Sequence, residues 1–146
     1  MLTGNFFNTI DSKGRAFIPT KLRGGLGDRI WLVKGIEPCL YVFTPDGWET
    51  YTAKYISNRT QRDSKARKLR RMFFGNSRET DVDKQGRINL PPDHIEYAGI
   101  EREIVFVGCG DMIELWSKER FDEEMAPGNL NPDELMNEAK ETSDRE

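Results

Sequence analysis

The chain has 146 residues, 36% hydrophobic and 32% charged, enough to form one medium domain or two small ones and to bury a core without disulfide staples. No apolar run approaches the ~20 residues of a membrane helix, and Met1-Leu2-Thr3-Gly4-Asn5 has neither the basic stretch nor the apolar core of a signal peptide, so a cytosolic protein is expected. The net charge of −3 hides an uneven spread: residues 122–146 carry nine acids against Lys140 and Arg145, which leaves 1–121 at +4, so the overall acidity does not exclude a nucleic-acid partner.

In chain order, Asn5 to Ile10 reads as a short strand, Asp11 to Arg15 as a tight turn, and Ala16 to Ile18 as a second strand. Pro19 ends that strand because it offers no N–H to a ladder. A helical turn follows, then strands over 30–34 and 39–43 separated by Gly35-Ile36-Glu37-Pro38. From 46 the character changes. Trp48, Tyr51, Tyr55 and Ile56 recur at helical spacing behind Asp46 as N-cap, and a second helix runs from Ser64 to Phe74 with Ala66, Leu69, Met72 and Phe73 on one stripe. After a second strand–turn–strand unit, Pro92 sits near a helix start and Gly99 at its C′ position. Strands over 104–107 and 112–116 follow, separated by Gly108-Cys109-Gly110-Asp111. Beyond Ala126 the chain reads as a solvated tail with one helix over Pro132 to Ala139. Cys39 and Cys109 have neither metal spacing nor a disulfide framework and read as small buried side chains.

The chain is an internal repeat. Asp11-Ser12-Lys13-Gly14-Arg15-Ala16-Phe17-Ile18-Pro19 aligns with Asp83-Lys84-Gln85-Gly86-Arg87-Ile88-Asn89-Leu90-Pro91, sharing D-x-x-G-R-x-x-aliphatic-P. Downstream, Ile30-Trp31-Leu32-Val33 matches Ile104-Val105-Phe106-Val107, and Leu40-Tyr41-Val42-Phe43 matches Ile113-Glu114-Leu115-Trp116. One copy of about 45 residues cannot enclose a core alone. The expected fold is therefore mainly β with short helices (α+β), two copies pairing about a pseudo-twofold axis into one closed β-barrel, which also removes exposed edges.

The motif has a physical logic. The Asp closes the turn by accepting backbone N–H bonds, the Gly permits positive φ, and the Arg leaves the tip of a stiff hairpin with a donor fork suited to phosphate or a guanine edge. One such motif taken alone reads rather as a plain hairpin turn with an Asp–Arg ion pair, since surface pairs of this kind are common and weak. The catalytic inventory is thin. His94, the only histidine, reads as a solvated imidazole on a helix face, and Gly24-Gly25-Leu26-Gly27 precedes a strand rather than a helix. No nucleophile-elbow, zinc-protease or Walker pattern occurs, so a non-enzyme without metal, cofactor or small-molecule substrate is expected.

The duplicated pattern, the two-helix insertion and the length resemble the MraZ family, tandem-repeat members of the AbrB-like, swapped-hairpin β-barrel transcription factors. The resemblance covers Gly4 to about Phe121. It implies a cytoplasmic, nucleoid-associated regulator that binds direct repeats in double-stranded DNA upstream of a division and cell-wall gene cluster and represses its own promoter. It also implies a ring-shaped homo-oligomer; an AbrB-like antitoxin is the alternative. The organisation expected is repeat 1 over 5–47, a basic two-helix insertion over 48–75, repeat 2 over 76–119 and an acidic, flexible tail over 122–146.

DNA contacts are expected from Lys13, Arg15, Lys21, Arg23, Lys84 and Arg87, with Asp11, Gly14, Asp83 and Gly86 organising the turns. Counted along the chain, 11–23 sums to +3 and 83–95 to zero, so the first copy is expected to face DNA more closely. Arg59, Arg62, Lys65, Arg67, Lys68, Arg70 and Arg71, opposed by Asp63, form either a second phosphate-contacting surface or a solvated face paired with acids of a neighbour or of the tail.

Overall fold

The computed structural model describes residues 1–145; Glu146, the last acid of the expected tail, lies outside the described residues. The first repeat contributes β1 (Leu2–Thr9), β2 (Arg15–Phe17), α1 (Thr20–Leu26), β3 (Arg29–Lys34) and β4 (Leu40–Phe43). Two helices follow, α2 (Pro45–Tyr55) and α3 (Ser64–Gly75). The second repeat runs through β5 (Arg78–Asp81), β6 (Arg87–Asn89), α4 (Pro92–Ala98), β7 (Glu103–Gly110) and β8 (Ile113–Ser117), then α5 (Lys118–Glu124). A 3-10 turn (Pro127–Asn129) leads into α6 (Pro132–Arg145), longer than the helix expected there, and residues 131–138 are exposed.

Six strands form one sheet in the order β1-β7-β8-β4-β3-β5, and β2 pairs with β6 in a separate two-stranded ribbon. Both orders are unchanged when the repeats are exchanged. β1 lies on β7 (Leu2 opposite Gly110, Thr9 opposite Glu103) as β5 lies on β3, β4 meets β8 in the middle, and Ala16 faces Ile88 across the ribbon. Each repeat thus lends its first strand to the third strand of the other. The closed barrel expected from the sequence is not what the ladder describes: β1 and β5 remain edges of the sheet. The repeat pattern reports which strands exist and which faces they bury. Closure needs a further ladder between the ribbon and the sheet, and the isolated Ile10–Ala16 bridge is the single such pairing among the described residues.

Side chains alternate across the strands, so the sheet is buried on both faces. Leu32, Val42, Phe106 and Leu115 pack with Ala16, Ile18 and Ile88 of the ribbon and with Leu22 and Ala98 of α1 and α4. On the other face Val33, Phe43, Val105 and Trp116 pack with Trp48, Ile56, Phe73 and Phe121 of the flanking helices. Thr44, not Asp46, caps α2: its Oγ1 accepts from the Gly47 N–H at 2.9 Å and Pro45 occupies the first turn. Proline suits the first helical position, which places the cap one residue before it.

Two further expectations are corrected. His94 is fully buried, not solvated. It shares the inner stripe of α4 with Ala98, and its Nε2–H donates to the Asn76 carbonyl (2.8 Å) just beyond α3, while Nδ1 lies 3.3 Å from the Asp93 carboxylate. Helix ends leave carbonyls without intrahelical partners, and the imidazole supplies one donor there. Cys39 is buried as expected; Cys109 is exposed, on the β7–β8 hairpin.

Candidate nucleic-acid interface

Each turn is built by one carboxylate. Asp11 Oδ1 accepts from the N–H groups of Lys13 and Arg15 (both 2.9 Å), and Oδ2 accepts from Arg15 Nε at 2.7 Å. Backbone bonds close the loop, Gly14 N–H to the Asp11 carbonyl and Asp11 N–H to the Arg15 carbonyl, each 3.0 Å. Gly14 adopts φ +75°, where a Cβ is strained. The second repeat duplicates the arrangement. Asp83 accepts from Gln85 N–H (2.9 Å), Arg87 N–H (2.8 Å) and Arg87 Nε (2.7 Å), with Gly86 at φ +82°. Both carboxyls are held below the usual carboxylate range, first by the backbone N–H of the arginine and then by its side chain.

The ion pair does not bury the arginines: the side chains of Arg15 and Arg87 are 28% and 21% exposed. The carboxylate takes Nε, so the terminal nitrogens at the outer end of each guanidinium have no hydrogen-bond partner among the described residues. The bond that organises the turn also fixes the direction in which the fork points. Lys13, Lys84 and Lys21 are exposed and Arg23 is half-buried.

Ala16 and Ile88 point inward from the ribbon, so the period of two turns Arg15, Phe17, Arg87 and Asn89 to its opposite face. The two arginines therefore share one surface about the pseudo-twofold axis. Their neighbours differ: Arg87 pairs across the ribbon with Phe17, its guanidinium 5.8 Å from the ring centroid, whereas Arg15 pairs with Asn89. Phe17 is 45% exposed on this cationic face. Sequence reasoning passed over it, although it shares strand parity with Arg15.

The repeats also exchange helices at the turns. Ile18 N–H donates to the Gly86 carbonyl and Leu90 N–H to the Gly14 carbonyl, both 2.9 Å. A Cβ on Gly14 would lie 3.2 Å from Cδ1 of Ile95, on α4. At Gly86 it would collide with the guanidinium of Arg23, on α1. Arg23, which a count along the chain assigns to the first repeat, thus lies against the turn of the second.

The cations of α3 and the loop before it form no salt bridge among the described residues. Arg59 Nε donates to the Tyr55 carbonyl and Arg67 Nη1 to the Gln61 carbonyl, while Arg62, Lys65, Lys68 and Arg71 are exposed. Among the described residues no group of three or more His, Cys, Asp or Glu is placed to hold a metal ion, and no helix is long and apolar enough to cross a membrane.

A family model described as "MraZ protein, putative antitoxin-like" matches residues 1–71 and 73–145. The chain is 42% identical over 124 residues to a protein named transcriptional regulator MraZ from Thermoanaerobacter pseudethanolicus, covering 84% of this chain and 85% of that protein. A protein of the same name from Desulforamulus reducens is 41% identical over 135 residues, covering 92% and 94%. One from Alkaliphilus metalliredigens is 37% identical over 142 residues, covering 97% and 98%.

Proposed function

Since the chain belongs to the MraZ family, we propose that it is a transcriptional regulator that binds double-stranded DNA through its paired arginine turns. The observation that carries the reading is the duplicated geometry at Arg15 and Arg87: two guanidinium forks aimed from one face of the β2–β6 ribbon by matching carboxylate clamps. Lys13, Lys21, Arg23 and Lys84 supply phosphate contacts around them, and Asp11, Gly14, Asp83 and Gly86 hold the turns. The two repeats, 5–47 and 76–119, act together as one AbrB-like DNA-binding body of swapped-hairpin type. The basic insertion 48–75 and the acidic segment 122–146 flank it.

The operator is a set of direct repeats upstream of the chain's own promoter, in front of division and cell-wall genes, and the regulator represses that promoter on the nucleoid. A single turn making one or two phosphate contacts binds weakly. A ring of copies links many turns rigidly, and such linkage raises avidity by ~10²–10⁴ over one site when repeat spacing matches subunit spacing.

Mobility shift with the upstream DNA tests the reading. A specific complex that weakens steeply with salt and requires more than one repeat supports it; equal affinity for scrambled DNA of the same length overturns it. The antitoxin-like wording of the family description favours one second reading, in which the chain also neutralises a toxin. Co-purification with a neighbour-encoded protein would bring that reading forward.

A further inference from the structure

On the DNA-binding reading proposed above, we infer that Arg23, although carried by the first repeat, is a phosphate-binding residue of the second repeat's turn, so that the interface has two chemically unequal tips. The fold lays α1 over the turn of repeat 2 and α4 over the turn of repeat 1. Arg23 and Ile95 occupy corresponding positions, each four residues after the proline that ends its ribbon strand. One turn is therefore covered by a cation and the other by an apolar side chain. The tip at Gly86 gathers Lys84, Arg87 and Arg23 against Asp83; the tip at Gly14 gathers Lys13 and Arg15 against Asp11.

The environment of Arg23 points to a ligand outside the chain. Arg120 provides the comparison, because it too lies across a glycine, Gly99. There the guanidinium is consumed structurally: Nη1 donates to the carbonyls of Tyr97 (2.8 Å) and Pro38 (3.3 Å). The Arg23 side chain has no hydrogen bond or ion pair among the described residues; its backbone bonds, to Pro19 and from Gly27, are those of α1. It lies against the Gly86 backbone, in room left by the missing Cβ, with its five donors uncommitted. A guanidinium lying against the turn backbone that carries Lys84 and Arg87, with no side-chain partner of its own, is arranged for a phosphate oxygen. Arg87 is also braced from below by Phe17, where Arg15 has Asn89.

The chain-order count therefore misplaces the asymmetry: the second tip presents more positive charge. Affinity for a polyanion follows the number of cations presented, and each phosphate contact contributes about −0.9 to the slope of log K against log salt. Arg23→Gln keeps the aliphatic stem and a polar end while removing the charged guanidinium that lies over Gly86; Arg23→Lys keeps a charge on a side chain of similar reach.

Fluorescence anisotropy of the full chain with the upstream duplex, across a salt series, tests the inference with Arg15→Ala, Arg87→Ala and Arg23→Gln singly and in pairs. Arg23→Gln is expected to weaken binding several-fold on specific and scrambled DNA alike and to flatten the salt slope by about one per engaged tip. Arg23→Lys is expected to restore the slope. The loss from Arg23→Gln is expected to be non-additive with Arg87→Ala and additive with Arg15→Ala, because only neighbours couple. If Arg15→Ala and Arg87→Ala weaken binding while Arg23→Gln does not, or if Arg23 couples to Arg15 instead, the inference fails and the regulator reading stands. If none of the three changes binding, the DNA-contact reading itself fails.

Discussion

Replacing His94 by alanine tests the structural role that the fold gives to the only histidine. The imidazole is fully buried, and its Nε2–H is the donor to the Asn76 carbonyl at 2.8 Å. Leaving a sheltered acceptor unmet costs about 1–3 kcal/mol, and the emptied ring volume adds on the order of 1–2 kcal/mol. A total near 3 kcal/mol corresponds to a fall in Tm of roughly 6–12 °C for a chain of this size. His94→Gln carries an amide N–H to about the position of Nε2 and is expected to recover part of the loss, with a cost of about 1 kcal/mol. Thermal unfolding followed by circular dichroism reads both variants. An alanine variant melting within 2 °C of the parent chain, or a glutamine variant no better than alanine, would refute the hydrogen-bond argument.

Four further outcomes are expected. Gly14→Ala forces a side chain into φ +75° beneath Ile95 and is expected to cost about 1–2 kcal/mol in urea unfolding, whereas Gly24→Ala, in open space within α1, is expected to be neutral or stabilising. Asp11, Asp83 and Asp93 all titrate below the usual carboxylate value in the folded chain, Asp93 chiefly through its hydrogen bond with His94. Their stabilisation is then complete above about pH 5 and is lost as pH falls through the lowered values. An acid-unfolding curve in which Asp83→Asn changes nothing below pH 4 would contradict this. Although Cys109 is exposed as a residue, partial desolvation of its sulfur and the neighbouring Glu114 push the thiol up to about 11. Iodoacetamide labelling at pH 8 is therefore expected to be slow there and absent at buried Cys39 until unfolding, and fast labelling of either would be inconsistent with the fold. Deleting 127–146 is expected to leave Tm nearly unchanged, since 131–138 are exposed, and to tighten non-specific DNA binding at low salt. Unchanged binding would remove the idea that the acidic segment competes with DNA.

What the sequence disclosed was mostly local. The Asp–Gly–Arg turns follow from residues within five positions of one another, so their shape and their duplication were legible before any fold was known. Strand parity was legible too, and it held the information that Phe17 shares a face with Arg15. The cap of α2 was readable as well, because Pro45 between Thr44 and Asp46 favours the earlier residue.

Other features depend on which elements meet. His94 sits on a helix of seven residues, too short for periodicity to mark its inner face. Cys109 lies near the tip of the β7–β8 hairpin, opposite Thr3 of β1, where it is exposed, and that placement depends on a pairing between repeats. Arg23 is the sharpest case. A charge count along the chain treats each repeat as a spatial unit, and the exchange of helices across the pseudo-twofold moves that cation to the other turn.

The most direct measurement is the salt dependence of operator binding by the double variant Arg15→Ala/Arg87→Ala, after unfolding curves establish that it is folded. If the turns carry the contacts, specific binding is lost and the residual affinity shows a clearly flatter slope of log K against log salt than the parent chain. Parent-like affinity with an unchanged slope would contradict the assignment of DNA binding to these turns.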